Sequence, residues 1–217
     1  TETRSRSLRA SFMLLINKGE DAAPITFRMP LHRPLPSRPD FRTLVAMPEL
    51  PEVETVVRGL RKTISGRTIR SVSLNAPAAS ISVSRSLGGD FAQVLAGRMI
   101  LEITRRGKNI LIALSGDAIL WVHLKMTGHF FWLPPGEPID KHDLALFDFL
   151  PDHSPESDYQ LRFNDYRRFG RLRLVPSDEL PRQKGMRELG PEPLEISAAE
   201  FVLLCHRRPR ALKAALL

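Results

Sequence analysis

Apolar side chains recur at helical spacing in the segment that follows residue 47. Pro51 suits the first turn of a helix, and Gly66 can end one. Between them, the apolar positions lie three or four residues apart, as expected for one buried helix face. These positions are Val53, Val56, Val57 and Leu60. The pattern predicts an amphipathic helix over residues 51–64.

Short runs with the alternation typical of β-strands follow the helix. Gly, Pro, Asn and Asp separate them, and a short helical pattern lies near residues 90–96. Such spacing is typical of an antiparallel sandwich or barrel. The predicted strands lie near residues 67–75, 98–105, 108–114, 117–124, 127–133, 143–150, 159–164 and 170–175.

The pattern becomes helical again after residue 193. Ser197 and Glu200 form a capping-box pair, Pro209 ends that helix, and another begins at Ala211. The chain stops at Leu217 within this second pattern. We therefore predict an α+β fold, in which an antiparallel β-sandwich domain with an N-terminal amphipathic helix is followed by the start of a helical domain. The expected boundaries are 48–190 and 191–217.

Residues 1–47 form a segment of different composition. It contains five prolines and no sustained apolar period, which is typical of a disordered leader. Its eight basic and four acidic residues allow a transit peptide or a nucleic-acid-binding arm. The acids and the lack of a long apolar region favour an upstream in-frame extension, with Met47 as the true start.

Composition narrows the class of protein. The 217 residues are 42% hydrophobic, which is enough for a core, and no apolar run is long enough to span a membrane. A single cysteine, Cys205, excludes an internal disulfide and favours a reducing, cytoplasmic setting. The net charge of +8 suits a polyanionic partner. Outside the leader, residues 161–175 and 205–217 each carry a net +4.

Pro48 is the most unusual candidate for chemistry. An initiator methionine at position 47 would be removed before proline, which would leave Pro48 as a free secondary amine. Such an amine can attack an electrophilic carbon and form an iminium ion, which is lyase chemistry. Glu49 beside it can serve as a general acid or base. With residues 1–47 attached, the Pro48 nitrogen is a tertiary amide and cannot form an iminium.

Five segments in order resemble the bacterial formamidopyrimidine-DNA glycosylases, bifunctional enzymes that excise oxidised purines and nick the strand. The segments are 48–60 (PELPEVETVVRGL), 105–111 (RRGKNIL), 123–128 (HLKMTG), 165–170 (DYRRFG) and 189–194 (LGPEPL). The resemblance implies a DNA glycosylase and abasic-site lyase of base excision repair. It also implies that the helical domain is a helix–two-turns–helix domain.

Catalytic roles follow from the resemblance position by position. Pro48 would attack the sugar C1′ through a Schiff base, and Glu49 would donate a proton during base loss. Lys108 would act near the damaged base and in β-elimination, within an overall β,δ-elimination that nicks the strand. Glu52 would be a supporting acid or, alternatively, only a charge at the helix N-terminus.

DNA-binding roles follow in the same way. An intercalating trio would fill the gap left by an everted nucleotide, because chemistry at C1′ requires the nucleotide to leave the stack. His123, in an apolar strand, is interpreted as a structural histidine. Arg168 would contact a phosphate or brace its loop, and Arg208 would bind a phosphate, with Arg207 and Arg210 as rivals. The remaining implied contacts are the trio Met126, Arg167 and Phe169, and His142.

The expected partner is double-stranded DNA with an oxidised base or an abasic site, and the expected state is a monomer that does not bind membranes. The resemblance implies zinc in a C-terminal finger, but its four cysteines are absent from this chain. Lys125 stands where the family usually has Gly, and Tyr166 where it has Pro. Two alternatives remain: an endonuclease VIII-like enzyme for oxidised pyrimidines, disfavoured by Leu50, and a non-catalytic damage-binding protein with a blocked Pro48.

Overall fold

The computed structural model describes residues 48–75, 81–192 and 195–206. Within these residues, four α-helices accompany nine β-strands. The helices are α1 (Leu50–Ile64), α2 (Phe91–Leu95), α3 (Lys184–Arg187) and α4 (Ala198–His206). The strands are β1 (Ile69–Leu74), β2 (Ile81–Val83), β3 (Ile100–Arg106), β4 (Asn109–Leu114), β5 (Ala118–His123), β6 (His129–Leu133), β7 (Asp143–Phe149), β8 (Gln160–Asn164) and β9 (Arg171–Pro176).

Helix α1 confirms the predicted amphipathic helix to within one residue at its start. Its buried side chains are three or four positions apart, so one face packs into the core. At the N-terminus, Glu52 Oε2 accepts a hydrogen bond from the Glu49 backbone N–H at 3.1 Å. This contact satisfies an N–H at the helix entrance and fixes how the chain enters α1. The buried residues are Val53, Val57, Leu60 and Ile64.

The strands form two sheets, with the order β1-β7-β8-β6 in one and β2-β9-β5-β4-β3 in the other. All eight predicted strands are present, and every pair among them is antiparallel. The sequence pattern missed β2, which pairs in parallel with β9. Three residues in a serine-rich stretch carry too short an alternation to identify a strand, so only pairing with β9 defines it.

One apolar cluster joins the two sheets and helices α1 and α2. Phe147 and Phe163 from the four-stranded sheet belong to the same buried cluster as Leu120 and Leu172 from the five-stranded sheet. Alternate residues of each strand therefore enter a shared core, and full burial of each large side chain contributes about 1.5–3 kcal/mol. This arrangement confirms the α+β fold with a β-sandwich.

One end of the outer face of the five-stranded sheet is covered. Trp121 packs there with Val175, Leu180 and Met186 in a second apolar cluster. A Cβ added to Gly185 would lie 3.0 Å from the indole ring, so glycine permits this close approach. The segment around α3 therefore covers the face around Trp121. The neighbouring polar ends of the strands can contribute side chains to a functional site.

The segment after the sandwich contains the predicted capping box. Ser197 Oγ accepts the Glu200 backbone N–H at 3.3 Å, and Glu200 Oε2 accepts the Ser197 N–H at 3.0 Å. Helix α4 begins there and contributes no buried residue. The helix expected at Ala211, with Arg208 before it, lies outside the described residues. No helix in the described part of the chain is long and apolar enough to cross a membrane.

Candidate active site and nucleic-acid interface

Glu49 and Lys108 form an ion pair beside Pro48. Glu49 precedes α1, and Lys108 lies in the turn between β3 and β4, so the two residues are distant in sequence. Their Oε2 and Nζ atoms are 2.5 Å apart, and their side chains are 62% and 35% exposed. The fold therefore places an accessible carboxylate and an accessible ammonium side by side at the helix entrance, as acid–base chemistry requires.

A network of ion pairs holds the Lys108 turn against α1. Glu192 accepts the Gly107 backbone N–H at 2.6 Å and pairs with Arg105 at 2.9 Å. Arg105 also pairs with Glu54 of α1 at 3.2 Å. Hydrogen bonds from Arg58, and then from Arg105, lower the pKa of Glu54 against the opposing effect of burial. This network fixes the separation of the two elements that carry the ion pair, and the sequence pattern did not reveal it.

The trio predicted to intercalate comes together on two neighbouring loops. Arg167 Nη1 lies 3.1 Å from the Met126 sulfur, and the Arg167 guanidinium carbon lies 4.9 Å from the centroid of the Phe169 ring. The Phe169 side chain is 53% exposed although it is large and apolar. An exposed aromatic ring stacked with a guanidinium and a thioether has the chemistry of a wedge that replaces base stacking.

Asp165 connects the loop that contains Met126 with the loop that contains Arg167 and Phe169. Its carboxylate is fully buried, and it accepts a short hydrogen bond from the Thr127 hydroxyl on the Met126 loop. It also accepts the backbone N–H groups of Gly170 at 2.6 Å and Arg167 at 3.2 Å. One buried side chain therefore connects the half-buried Met126 on one loop with the exposed Arg167 and Phe169 on the other.

Two of the loop residues have a left-handed backbone. Lys125 and Arg168 each have φ of +57°, which costs about 1–2 kcal/mol for a residue with a Cβ. These residues directly flank Met126 and Arg167, respectively. Strain of this kind often persists at functional loops, where the surrounding contacts impose it. Arg168 is exposed, as a phosphate contact or a loop residue requires.

His142 lies beside the same loop. Its carbonyl accepts the Asp165 backbone N–H at 2.9 Å, and its ring meets Tyr166 edge-on at 6.3 Å. Tyr166 is 51% exposed. The fold therefore places His142 next to the trio, as expected for residues that contact one ligand. Arg208 lies outside the described residues, so its predicted contact stays a prediction.

His123 occupies a wall of the cleft that contains Glu49 and Lys108, a space of about 720 Å³. Its Nδ1 accepts the Lys125 backbone N–H at 3.0 Å, so the neutral ring carries its proton on Nε2. Burial, and then the charges of Lys125, Lys108 and Arg171, lower the pKa of His123 to about 4. The structural contact fits the sequence interpretation, but its place in the cleft was not predicted.

A protein-family model matches the greater part of this chain. The family model described as "Formamidopyrimidine-DNA glycosylase N-terminal domain" matches residues 47–172. The chain belongs to the formamidopyrimidine-DNA glycosylase family. The resemblance inferred from the five sequence segments is therefore confirmed.

Relatives in this family are similar over most of the chain. The formamidopyrimidine-DNA glycosylase of Heliobacterium modesticaldum is 43% identical over 176 residues, and that of Desulforamulus reducens is 40% identical over 166 residues. These alignments include 79% and 76% of this chain but only 60% and 56% of the relatives. The chain therefore spans less than two thirds of the length of these relatives.

Solved structures in the family share the fold. The Lactococcus lactis Fpg, in a complex with an abasic site containing DNA, gives a TM-score of 0.64 at 31% identity, over 78% of this chain and 60% of that one. The same enzyme with a FAPY-dG containing DNA gives 0.55 at 34% identity, over 67% and 51%. The chain thus shares the fold of the corresponding part of Fpg.

Zinc, which the family resemblance implies, does not fit the residues of this chain. Cys205 is the single cysteine in the sequence. Across residues 48–75, 81–192 and 195–206, no group of three His, Cys, Asp or Glu side chains is placed to hold a metal ion. A four-cysteine finger cannot be assembled from this donor set, and no step of the chemistry is assigned to a metal.

Proposed function

We propose that the full-length protein is a bifunctional DNA glycosylase and abasic-site lyase of base excision repair, which removes oxidised purines such as 8-oxoguanine and formamidopyrimidines from duplex DNA. The observation that carries the proposal is the 2.5 Å pair of Glu49 and Lys108 beside Pro48. Residues 48–190 would form the catalytic domain and residues 191–217 the beginning of a helical DNA-binding domain.

The chemistry begins at the Pro48 nitrogen once residues 1–47 are absent. The free amine attacks the sugar C1′ as the bond from C1′ to the base breaks, and Glu49 gives a proton to the departing base. The C1′–O4′ bond then breaks, and the proton that the amine gives up passes to O4′, so that the opened sugar remains attached to Pro48 as an iminium ion. This ion makes the C2′ hydrogen acidic, so its removal as a proton expels the 3′ phosphate. Lys108 lies within reach of Glu49 and acts in proton transfer during this elimination. A second elimination at the 5′ side completes the excision of the sugar.

Glu52 serves this chemistry by positioning. Its carboxylate accepts the Glu49 backbone N–H, which fixes the peptide that follows Pro48. This contact supports both sequence interpretations, because the same charge also lies at the positive end of α1. Glu52 would therefore support the reacting residues through the Glu49 backbone.

The intercalating trio supplies the other requirement of the proposal. A nucleotide must leave the duplex before C1′ can be attacked, and the vacated space must be filled. Met126, Arg167 and Phe169 would provide an apolar wedge with a guanidinium, and His142 and Arg168 are proposed to contact the DNA backbone. Arg208 is proposed as a further phosphate contact.

Borohydride trapping on DNA with an abasic site tests the proposal. The gene product translated from Met47 to its natural end should cross-link to the DNA, and N-terminal sequencing should show a free Pro48. A matched protein that begins at Thr1 and stays unprocessed should not cross-link, because its Pro48 nitrogen is an amide. Equal cross-linking by the two forms would contradict the proposed nucleophile.

The same two proteins separate the alternative functions. Excision assays on duplexes with 8-oxoguanine or with an oxidised pyrimidine would show which lesion is preferred, and preference for the pyrimidine would indicate the endonuclease VIII-like activity. Lesion binding without cross-linking, by a natural protein that N-terminal sequencing shows to retain residues before Pro48, would indicate a non-catalytic damage-binding protein.

A further inference from the structure

The cleft that contains Glu49 and Lys108 has a second group of basic side chains, which we call the basic trough. Its members do not form ion pairs within 4.0 Å with any described residue. The acids of the cleft are Glu188 and Glu49, and Glu49 is engaged by Lys108. The trough consists of Lys125, Arg171, Arg173 and Lys184.

Strand register places the two arginines of the trough on one face. Arg171 lies opposite His123, and Arg173 lies opposite Trp121, in the antiparallel pairing of β9 with β5. Residues two apart on a strand share a face and are separated by about 7 Å along it. Both arginines therefore project from the outer face of the sheet, Arg173 beside Trp121 of the second apolar cluster and Arg171 farther from that cluster along β9.

Arg173 is held by stacking on an aromatic ring, and its guanidinium N–H groups donate to no residue in the described part of the chain. Its guanidinium carbon lies 5.2 Å from the centroid of the Trp121 ring. The indole is itself fixed, because its Nε1–H donates to Asn109 Oδ1 at 2.8 Å. Stacking orients a guanidinium while leaving its planar set of N–H groups available, which is the arrangement that binds an anion.

The trough carries unbalanced positive charge in the free protein. Burial, and then the charges of Arg171 and Arg173, lower the pKa of Lys125. Lys125 also keeps a left-handed backbone with φ of +57°, a conformation in which glycine would be unstrained. Both effects destabilise the protein when no ligand is bound, and an anion beside these side chains would offset the electrostatic part.

We propose that the basic trough binds the phosphodiester backbone of the DNA strand whose nucleotide reacts at Glu49 and Lys108. This inference rests on the proposed function, since it places the strand in the same cleft. An extended polyanion is favoured over a small anion because four cations line an open cleft of about 720 Å³. The contacts are independent of base sequence, so they contribute affinity and register.

Salt-dependent binding of a duplex with a tetrahydrofuran abasic-site analogue tests the proposal in the full-length gene product. We expect Arg171→Gln with Arg173→Gln to weaken binding about 10- to 100-fold at moderate salt. The slope of log affinity against log salt concentration should become shallower by about 1–2, because up to two phosphate contacts are lost. Arg171→Lys with Arg173→Lys keeps the charge and should restore most of the slope.

Arg182→Gln with Arg187→Gln is the matched control, because these exposed arginines lie on the same segment as Lys184 but do not line the cleft. It removes the same charge and should leave the slope unchanged. Thermal unfolding of each variant shows that it is folded. An unchanged salt slope in the Arg171→Gln/Arg173→Gln variant, or an equal change of slope in the control variant, would contradict the proposal that the basic trough binds DNA. Failure of the unsubstituted protein to cross-link to abasic DNA would instead contradict the proposed function.

Discussion

Replacement of Asp165 by asparagine tests whether one buried carboxylate organises the loops of the intercalating trio. Asparagine has the same shape, but one carboxylate oxygen becomes an NH₂ donor. In the native protein, one oxygen accepts the Thr127 hydroxyl and the Arg167 N–H, and the other accepts the Gly170 N–H. Either orientation of the amide therefore leaves one backbone N–H without an acceptor.

The expected cost follows from that count. A buried donor that loses its acceptor costs about 1–3 kcal/mol. We therefore expect Asp165→Asn to reduce the free energy of unfolding by about 2 kcal/mol. Thr127→Val removes one donor to the same carboxylate and should cost about 1 kcal/mol. The double variant should cost less than the sum of the two single variants, because they break one network.

Urea denaturation, monitored by tryptophan fluorescence, measures the free energy of unfolding of the native protein, the two single variants and the double variant. The midpoint should shift to lower urea with little change in slope. Two results would refute the proposed role of Asp165. One is an Asp165→Asn protein within about 0.5 kcal/mol of the native protein, and the other is strict additivity with Thr127→Val.

Three further predictions concern single positions. Gly170→Ala should destabilise the protein by about 1–3 kcal/mol in the same urea assay, because the added Cβ would lie 2.7 Å from the Phe163 ring; an unchanged midpoint would contradict this packing. His123 should titrate near pH 4 in NMR. As the pH falls, the unfolded chain takes up a proton on this histidine near pH 6.5, before the folded protein does. The free energy of unfolding should therefore fall by about 1–2 kcal/mol between pH 6.5 and pH 4. A His123 titration near pH 6.5 would be inconsistent with the contact to Lys125. Glu49→Gln should slow base excision at least about 100-fold and still allow borohydride trapping on preformed abasic DNA, whereas equal loss of both would assign Glu49 a different role.

Local patterns in the sequence predicted most of the secondary structure. The helix at 51–64, the eight longer strands and the Ser197–Glu200 capping box were all placed within a few residues, because backbone hydrogen bonding imposes short periods on the side chains. Strand β2 was not predicted, because its three residues form a strand only by pairing with β9. Pairing between distant segments has no local period to reveal it.

The sequence also carried the five segments that indicate the family, and with them the identity of Pro48, Glu49 and Lys108 as candidates. It did not show that Glu192 holds the Lys108 turn or that Asp165 joins two loops. In the sequence these two residues cannot be distinguished from ordinary surface acids. Their positioning role comes from burial in the folded protein together with the hydrogen bonds that they accept there.

The sequence by itself indicated helix α1 and the eight longer strands, and it named the candidate residues for the chemistry. Only the tertiary structure decided that Glu49 meets Lys108, that Arg167 reaches Met126, and that the arginines of the trough share a face with His123. Helix and strand periods arise between near neighbours, whereas these contacts depend on how two sheets pack and in which register their strands pair. The spatial arrangement of the site is therefore a property of the packed sandwich.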